Sequence, residues 1–160
     1  MPANTVSRRA VLIAVLMVPA ACAGQPSQKA VNNISPKPLF PNETPRLRAL
    51  IKKHARIHDV PVSLVQRVVV RESTHRPGAR NGPYYGLMQI LPQTARTMGY
   101  RGPPEGLLNA ETNLKYGVKY LRGAWLVSGG DPDAAIMWYA RGYYYEAKRL
   151  GMLQETGLGG

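Results

Sequence analysis

The 160-residue sequence predicts an all-α domain preceded by a flexible linker. Apolar residues recur at spacings of three and four in several segments, which is the period of a helix buried on one face. Clusters of Pro, Gly and Asn separate those segments, and no stretch of strand length alternates apolar and polar residues. A chain of this length favours one compact domain.

Residues 1–22 are predicted to be an export signal. Arg8 and Arg9 precede an apolar run over residues 10–18, and small residues surround Cys22. A positive region, a short apolar region and a small-residue cleavage site are typical of a signal peptide. The apolar run is too short to span a bilayer as a mature helix. We therefore expect an exported protein of the periplasm or cell envelope.

Cys22 is the only cysteine of the chain, so an internal disulfide is excluded. Ala20-Ala21-Cys22 resembles a lipoprotein box, in which the thiol carries a lipid that attaches the protein to a membrane. Pro19 stands where such boxes usually have Leu. Ordinary cleavage near Ala21 or Ala23, which would leave a protein without a lipid, is therefore the alternative.

Residues 23–43 are predicted to form an extended linker, because they contain four prolines and show no helical period. The folded domain is expected over residues 44–155. It begins at Thr44-Pro45, since Thr is a good N-cap and Pro is favoured at the first helical position. The apolar stripe of this first helix is Leu47, Leu50, Ile51 and Ala55.

Two histidines of the first helix, His54 and His58, are four residues apart and could share a metal ion. A third ligand is not evident nearby, and Lys52, Lys53 and Arg56 surround them in the sequence. We therefore expect the histidines on a solvated face and predict no metal site.

The second helix opens at Pro61 and places Glu72 on its apolar face, one turn beyond Val68 and Val69. A charged carboxylate is costly there unless it is paired or protonated. Pairing with a neighbouring arginine or the loop backbone would make Glu72 structural. Burial would instead raise its pKa and make it a competent general acid near neutral pH. The Pro-, Gly- and Asn-rich loop over residues 74–83 would leave open space beside it.

The remaining helices follow from their start and stop signals. A short helix is expected from Pro92 to Gly99, and Asn109 caps a longer helix. Asp131 caps the next, and a final helical segment follows it. The stripe of the long helix is Leu114, Val118, Leu121 and Trp125.

The chain is strongly basic, with 21 Lys and Arg against 9 Asp and Glu and a net charge of +12. Removal of residues 1–21 would take away Arg8 and Arg9 and leave +10. Such a charge favours nucleic acid, an anionic membrane surface or an anionic wall polymer as partner. The predicted export makes nucleic acid the least suitable of the three.

Three motifs then carry a resemblance to a known family. The first is Glu72-Ser73 with Pro77, Ala79, Gly86-Leu87-Met88-Gln89-Ile90, Pro92 and Thr94-Ala95. The second is Asn109-Ala110-Glu111-Thr112-Asn113-Leu114 with Gly117 and Tyr120-Leu121, and the third is Trp138-Tyr139-Ala140-Arg141-Gly142. Over about residues 46–150 the chain resembles the catalytic core of the soluble lytic transglycosylases, which implies the goose-type lysozyme fold, a small helical domain with a groove.

The resemblance implies a reaction on peptidoglycan glycan strands. Glu72 would protonate the glycosidic oxygen between N-acetylmuramic acid and N-acetylglucosamine. It would then act as base on the C6 hydroxyl of the muramic acid, closing a 1,6-anhydro ring without water or a cofactor. Most glycosidases use two carboxylates, whereas the next acidic residue after Glu72 is Glu105.

The resemblance also assigns residues to the substrate site. Tyr139 would hydrogen-bond Glu72 and orient it. Gly86 would let the backbone approach the site closely, and core packing is the alternative role for Met88. The residues expected to bind or shape the sugar subsites are Ser73, Gly86, Leu87, Met88 and Gln89.

Two departures from the family pattern keep alternatives open. Arg80 stands where the family usually has Ser, and it could meet an anionic peptide stem or lactyl group or be solvated. Ala140 stands where the family has Asn, which favours an inactive, wall-binding lipoprotein. A lysozyme-like hydrolase is another alternative, with Glu111 or Asp131 holding a water. The protein could serve wall turnover or an envelope-spanning secretion, flagellar or transfer machine.

Overall fold

A computed structural model describes residues 37–159 and shows a mostly helical domain. The predicted all-α class is therefore confirmed. Within that range, none of the helices is both long and apolar enough to cross a membrane. The predicted signal, Cys22 and most of the predicted linker lie outside the described residues.

The first two helices are α1, Pro45–Ile57, and α2, Val62–Ser73. Thr44 caps α1 as predicted, since its hydroxyl accepts a hydrogen bond from the Leu47 amide at 3.1 Å. At the end of α2, Thr74 adopts a left-handed conformation with φ of 49°. That residue stops the helix two positions after Glu72, so the carboxyl group lies in its last turn.

A small β-hairpin follows, formed by β1, Arg80–Asn81, and β2, Tyr84–Tyr85. The strands are antiparallel, with Arg80 opposite Tyr85. Gly82 has φ of +56° in the connecting turn, a conformation that glycine adopts without strain. Two-residue strands are too short to produce an alternating pattern, which is why the sequence did not predict them.

The remaining elements that the structure describes are all helices. They are α3, Pro92–Thr97; a 3-10 helix, Pro104–Leu108; α4, Ala110–Val127; α5, Pro132–Arg141; and α6, Tyr144–Arg149. Asn109 and Asp131 cap α4 and α5 as predicted, accepting hydrogen bonds from backbone amides at 3.1 and 2.7 Å. The longest of these helices, α4, packs against α1, α3, α5 and α6. Three residues of its predicted stripe, Leu114, Val118 and Leu121, are wholly buried, and the fourth, Trp125, is partly buried.

Residues 37–43 belong to the same compact unit as the helices, although the sequence placed them in the linker. Glu43 is only 6% exposed. Its carboxylate accepts hydrogen bonds from the Phe40 amide at 3.0 Å, Gln66 Nε2 at 2.7 Å and Arg48 Nη2 at 2.6 Å. Burial alone would raise the pKa of Glu43, but these hydrogen bonds lower it to about 2. The ionised carboxylate therefore attaches this segment to α1 and α2.

Candidate active site

Glu72 lies in the last turn of α2, with its side chain 22% exposed. Burial raises the pKa of this carboxyl, and the neighbouring charge of Arg71 offsets part of that rise. The C-terminal end of a helix carries partial negative charge and also disfavours a carboxylate. Glu72 therefore holds a proton at higher pH than an ordinary glutamate, as a general acid must.

A structural role for Glu72 would require a firm partner. Arg71 Nε lies 3.5 Å from Glu72 Oε1, which is a long contact, and the Arg71 side chain is half exposed. Exposed ion pairs of this kind contribute little to stability. Arg67 pairs with Asp133 instead. Within the described part of the chain, the carboxyl of Glu72 is thus not committed to a strong ion pair.

The segment that follows the hairpin is held by Asn113, a wholly buried residue of α4. Asn113 Nδ2 donates to the carbonyl oxygens of Tyr85 and Leu107, both at 2.8 Å, and Oδ1 accepts from the Met88 amide at 2.9 Å. Gly86 has φ of +72°, and a Cβ there would overlap the Asn113 amide. No role is predicted for Asn113 from the sequence, although an Asn four residues before Gly117 on the buried face of a helix is a signal for such a brace.

Tyr139, on α5, makes a different hydrogen bond from the predicted one. Its hydroxyl donates to the Met88 carbonyl oxygen at 2.8 Å rather than to Glu72. Met88 is wholly buried, so its carbonyl needs a donor. Burial raises the pKa of Tyr139 well above its ordinary value, and the charge of Glu72 raises it further. Tyr139 is therefore close enough to Glu72 to feel its charge while its proton is used elsewhere.

One stretch of the chain contains all three parts of the candidate site: Glu72 at the end of α2, the segment held by Asn113, and Tyr139 of α5. A family model described as Transglycosylase SLT domain matches residues 49–152. The chain belongs to this family. No curated protein and no solved structure matched the chain. At the level of the family, the SLT domain implies peptidoglycan cleavage of the lytic transglycosylase kind, and the suspected resemblance and lysozyme-like class are confirmed.

In this SLT domain, Leu87 and Met88 are core residues. Both are completely buried, and a Cβ on Gly117 would come within 2.6 Å of Met88 Sδ. Neither side chain is exposed to a sugar, which corrects the prediction that they line subsites and supports the packing alternative for Met88. They shape the site through the backbone that carries Gly86 and Gln89.

Gln89 has a positive φ of 46°, unusual for a residue other than glycine. Its side-chain amide donates to the Gly86 carbonyl oxygen at 2.8 Å and to that of Ala79 at 3.2 Å. These bonds close the turn over residues 86–89 and tie it to Ala79. Gln89 is half-buried, so part of the residue remains exposed to solvent.

Ser73, predicted to position the acid or a sugar, is 3% exposed. Its hydroxyl donates to the Val69 carbonyl oxygen one turn earlier, at 3.3 Å. Ser and Thr side chains in helices often form this bond with the preceding turn. The Ser73 hydroxyl therefore serves the end of α2, and the predicted contact with a sugar is not available to it in this structure.

The histidines of α1 also differ from expectation. His54 is 3% exposed, because α4 covers this face of α1, so its predicted place on a solvated face is wrong. Its ring stacks on that of His58, with centroids 6.4 Å apart. Within residues 37–159, no three His, Cys, Asp or Glu side chains are grouped closely enough to hold a metal ion.

Proposed function

We propose that this SLT domain cleaves the β-1,4 bond between N-acetylmuramic acid and N-acetylglucosamine without water, with Glu72 as its only general acid and base. The observation that carries the proposal is the environment of Glu72: a partly buried carboxyl at a helix end, with a raised pKa and, among residues 37–159, no firm partner. By contrast, hydrogen bonds from Lys53 and Arg149 lower the pKa values of Glu111 and Glu146.

The reaction balances with one carboxyl group. Protonated Glu72 gives its proton to the glycosidic oxygen as the bond to muramic acid C1 breaks, and N-acetylglucosamine leaves as an alcohol. The resulting carboxylate takes the proton of the C6 hydroxyl, and O6 bonds to C1 to close the anhydro ring. Glu72 ends the cycle protonated, so no external acid or base is consumed.

A hydrolase of the lysozyme kind would need a second acid to hold the attacking water. Both residues considered for that role have other partners. Glu111 is paired with Lys53, and Asp131 caps α5 through the Ala134 amide at 2.7 Å. Their engagement favours the single-carboxylate reaction over hydrolysis.

Glu72→Gln tests the assignment. The substitution keeps size and polarity but removes the transferable proton. General acid–base catalysis contributes roughly 10²–10⁴-fold, and here one residue acts as both acid and base. The rate of 1,6-anhydromuropeptide release from purified sacculi should therefore fall by about 10⁴-fold or more. Circular dichroism checks the fold, and Glu155→Gln, which changes an exposed glutamate, is the matched control for charge.

Three outcomes separate the alternatives. A folded Glu72→Gln protein that cleaves at the wild-type rate would refute the catalytic assignment. Release of reducing sugars by the wild type would identify a hydrolase. Binding to sacculi without any product would identify a wall-binding protein that has lost activity, the reading that Ala140 favours.

We also propose that the protein is exported and carries a lipid on Cys22. The basic start, short apolar run and small residues before Cys22 support this proposal. Mass spectrometry of the mature protein should show residues 1–21 removed and a diacylglycerol on Cys22, and the lipid should be absent from Cys22→Ser. An intact N-terminus would refute export, whereas a processed protein with a free thiol would refute only the lipid.

A further inference from the structure

Arg80, at the start of the hairpin, is exposed and lies over an aromatic ring. Its guanidinium carbon lies 4.6 Å from the centroid of the Tyr85 ring, and the strand register places the two residues opposite each other. Tyr85 is only 5% exposed, so the ring is a fixed support for the cation. Arginine over an aromatic face is a favourable cation–π arrangement.

The charge of Arg80 is not neutralised by the part of the chain that the structure describes. Several other cations have acidic partners within 4.0 Å: Arg48, Lys53, Arg67, Arg71, Arg122 and Arg149. Arg80 has none among residues 37–159 and remains exposed. It is therefore a supported guanidinium that is free to bind an anion.

Hydrogen bonds connect Arg80 to the candidate active site. The carbonyl oxygen of the preceding residue, Ala79, accepts from the Gly86 amide at 2.7 Å and from Gln89 Nε2 at 3.2 Å. Two residues after Gly86, the Met88 carbonyl is held by Tyr139. The base of the Arg80 side chain is thus fixed relative to the segment beside Glu72.

We propose that Arg80 determines specificity by binding a carboxylate of the peptidoglycan strand, either on the peptide stem or on the lactyl group of muramic acid once the stem is removed. A planar guanidinium matches a carboxylate with two parallel hydrogen bonds, which an ammonium does not. This inference rests on the proposed function for its substrate, and it adds the group that would distinguish peptide-bearing wall from an uncharged glycan.

Binding in a Glu72→Gln background tests Arg80 without requiring turnover. We would measure sedimentation with intact sacculi, with sacculi stripped of stems by an amidase, and with sacculi whose carboxylates are converted to amides. Arg80→Ala should weaken binding to intact sacculi about tenfold, the scale of one charge-assisted hydrogen-bonded contact. Arg56→Ala, which removes an exposed arginine of α1, should change it less than about twofold.

The substrates identify the carboxylate. A tenfold effect that disappears on stripped sacculi places the carboxylate on the peptide stem. An effect confined to stripped sacculi, where amidase has freed the lactyl carboxylates, places it on the lactyl group, and an effect on both shows that Arg80 accepts either carboxylate. On amidated sacculi, Arg80→Ala should bind like its parent. Arg80→Lys should recover only part of the affinity, since it restores charge but not the planar fork.

Equal losses of affinity for Arg80→Ala and Arg56→Ala on both intact and stripped sacculi would refute the inference and leave only general charge attraction. A loss that is undiminished on amidated sacculi would also refute it, because the arginine would then support the hairpin alone. If the wild-type protein releases no product while the binding results hold, the proposed reaction fails and the role of Arg80 stands.

Discussion

Asn113→Ala is the most direct test of how the site is supported. The side chain is wholly buried and joins three backbone groups from the hairpin, the 3-10 helix and the turn over residues 86–89. Alanine would leave the carbonyls of Tyr85 and Leu107 and the amide of Met88 without this partner. The backbone around Met88, whose carbonyl oxygen accepts the Tyr139 hydroxyl, would then lose the support of Asn113.

The expected cost follows from those three bonds. Each contributes about 1 kcal/mol net, and a buried group left unpaired can cost up to about 3 kcal/mol. We therefore expect the free energy of unfolding to fall by at least about 3 kcal/mol. For a domain of this size 1 kcal/mol corresponds to about 4 °C in Tm, so Tm should fall by about 12 °C or more.

Urea and thermal denaturation of the mature protein measure this loss. Asn109→Ala is the matched control, since it removes an asparagine from the same helix with one exposed capping bond at 3.1 Å. Loss of such a cap costs about 1 kcal/mol. If Asn113→Ala destabilises the protein no more than Asn109→Ala, the three bonds do not brace the site and the account is refuted.

Three further outcomes are expected. Tyr139→Phe should lower the free energy of unfolding by about 1–2 kcal/mol, because it leaves the Met88 carbonyl unpaired, and should slow anhydromuropeptide release less than Glu72→Gln; an unchanged urea midpoint would show that the bond contributes nothing. Burial lowers the pKa values of His54 and His58 below the ordinary 6.5, so the unfolded chain binds more protons below about pH 6.5 and stability should fall on acidification from pH 7.5 to 5.5. His54→Phe should reduce that slope in urea titrations, and an unchanged slope would contradict the assignment. Finally, adsorption to sacculi should weaken as salt rises above about 0.15 M, where the Debye length is near 8 Å, and sedimentation that does not respond to salt would exclude electrostatic adsorption.

The helices could be predicted because their signals are local. Thr44-Pro45, Asn109 and Asp131 each act within one turn, and all three cap the helix expected of them. The burial of Glu72 was also predicted, since apolar residues one turn away define the face on which it lies. In both cases neighbours in the sequence decide the outcome.

Contacts between distant segments could not be predicted in the same way. The sequence predicts Glu72 as the hydrogen-bond partner of the Tyr139 hydroxyl. Only the fold shows that the hydroxyl reaches the buried carbonyl oxygen of Met88 instead. The neighbouring Lys52 and Lys53 indicate a solvated face for His54, but α4 packs across that side of α1. The role of Asn113 depends on three segments that meet only in the folded chain.

The incomplete burial of Glu72 has a consequence for how substrate and proton depend on each other. Burial is the main cause of the raised pKa of this carboxyl, yet 22% of the side chain is still exposed to solvent. A glycan strand lying over the residue would remove more of that water and raise its proton affinity again. Substrate binding would then be accompanied by proton uptake from the buffer. The fraction of Glu72 that is protonated would rise when a glycosidic oxygen lies beside it to accept the proton. An unoccupied domain would release that proton to solvent more readily.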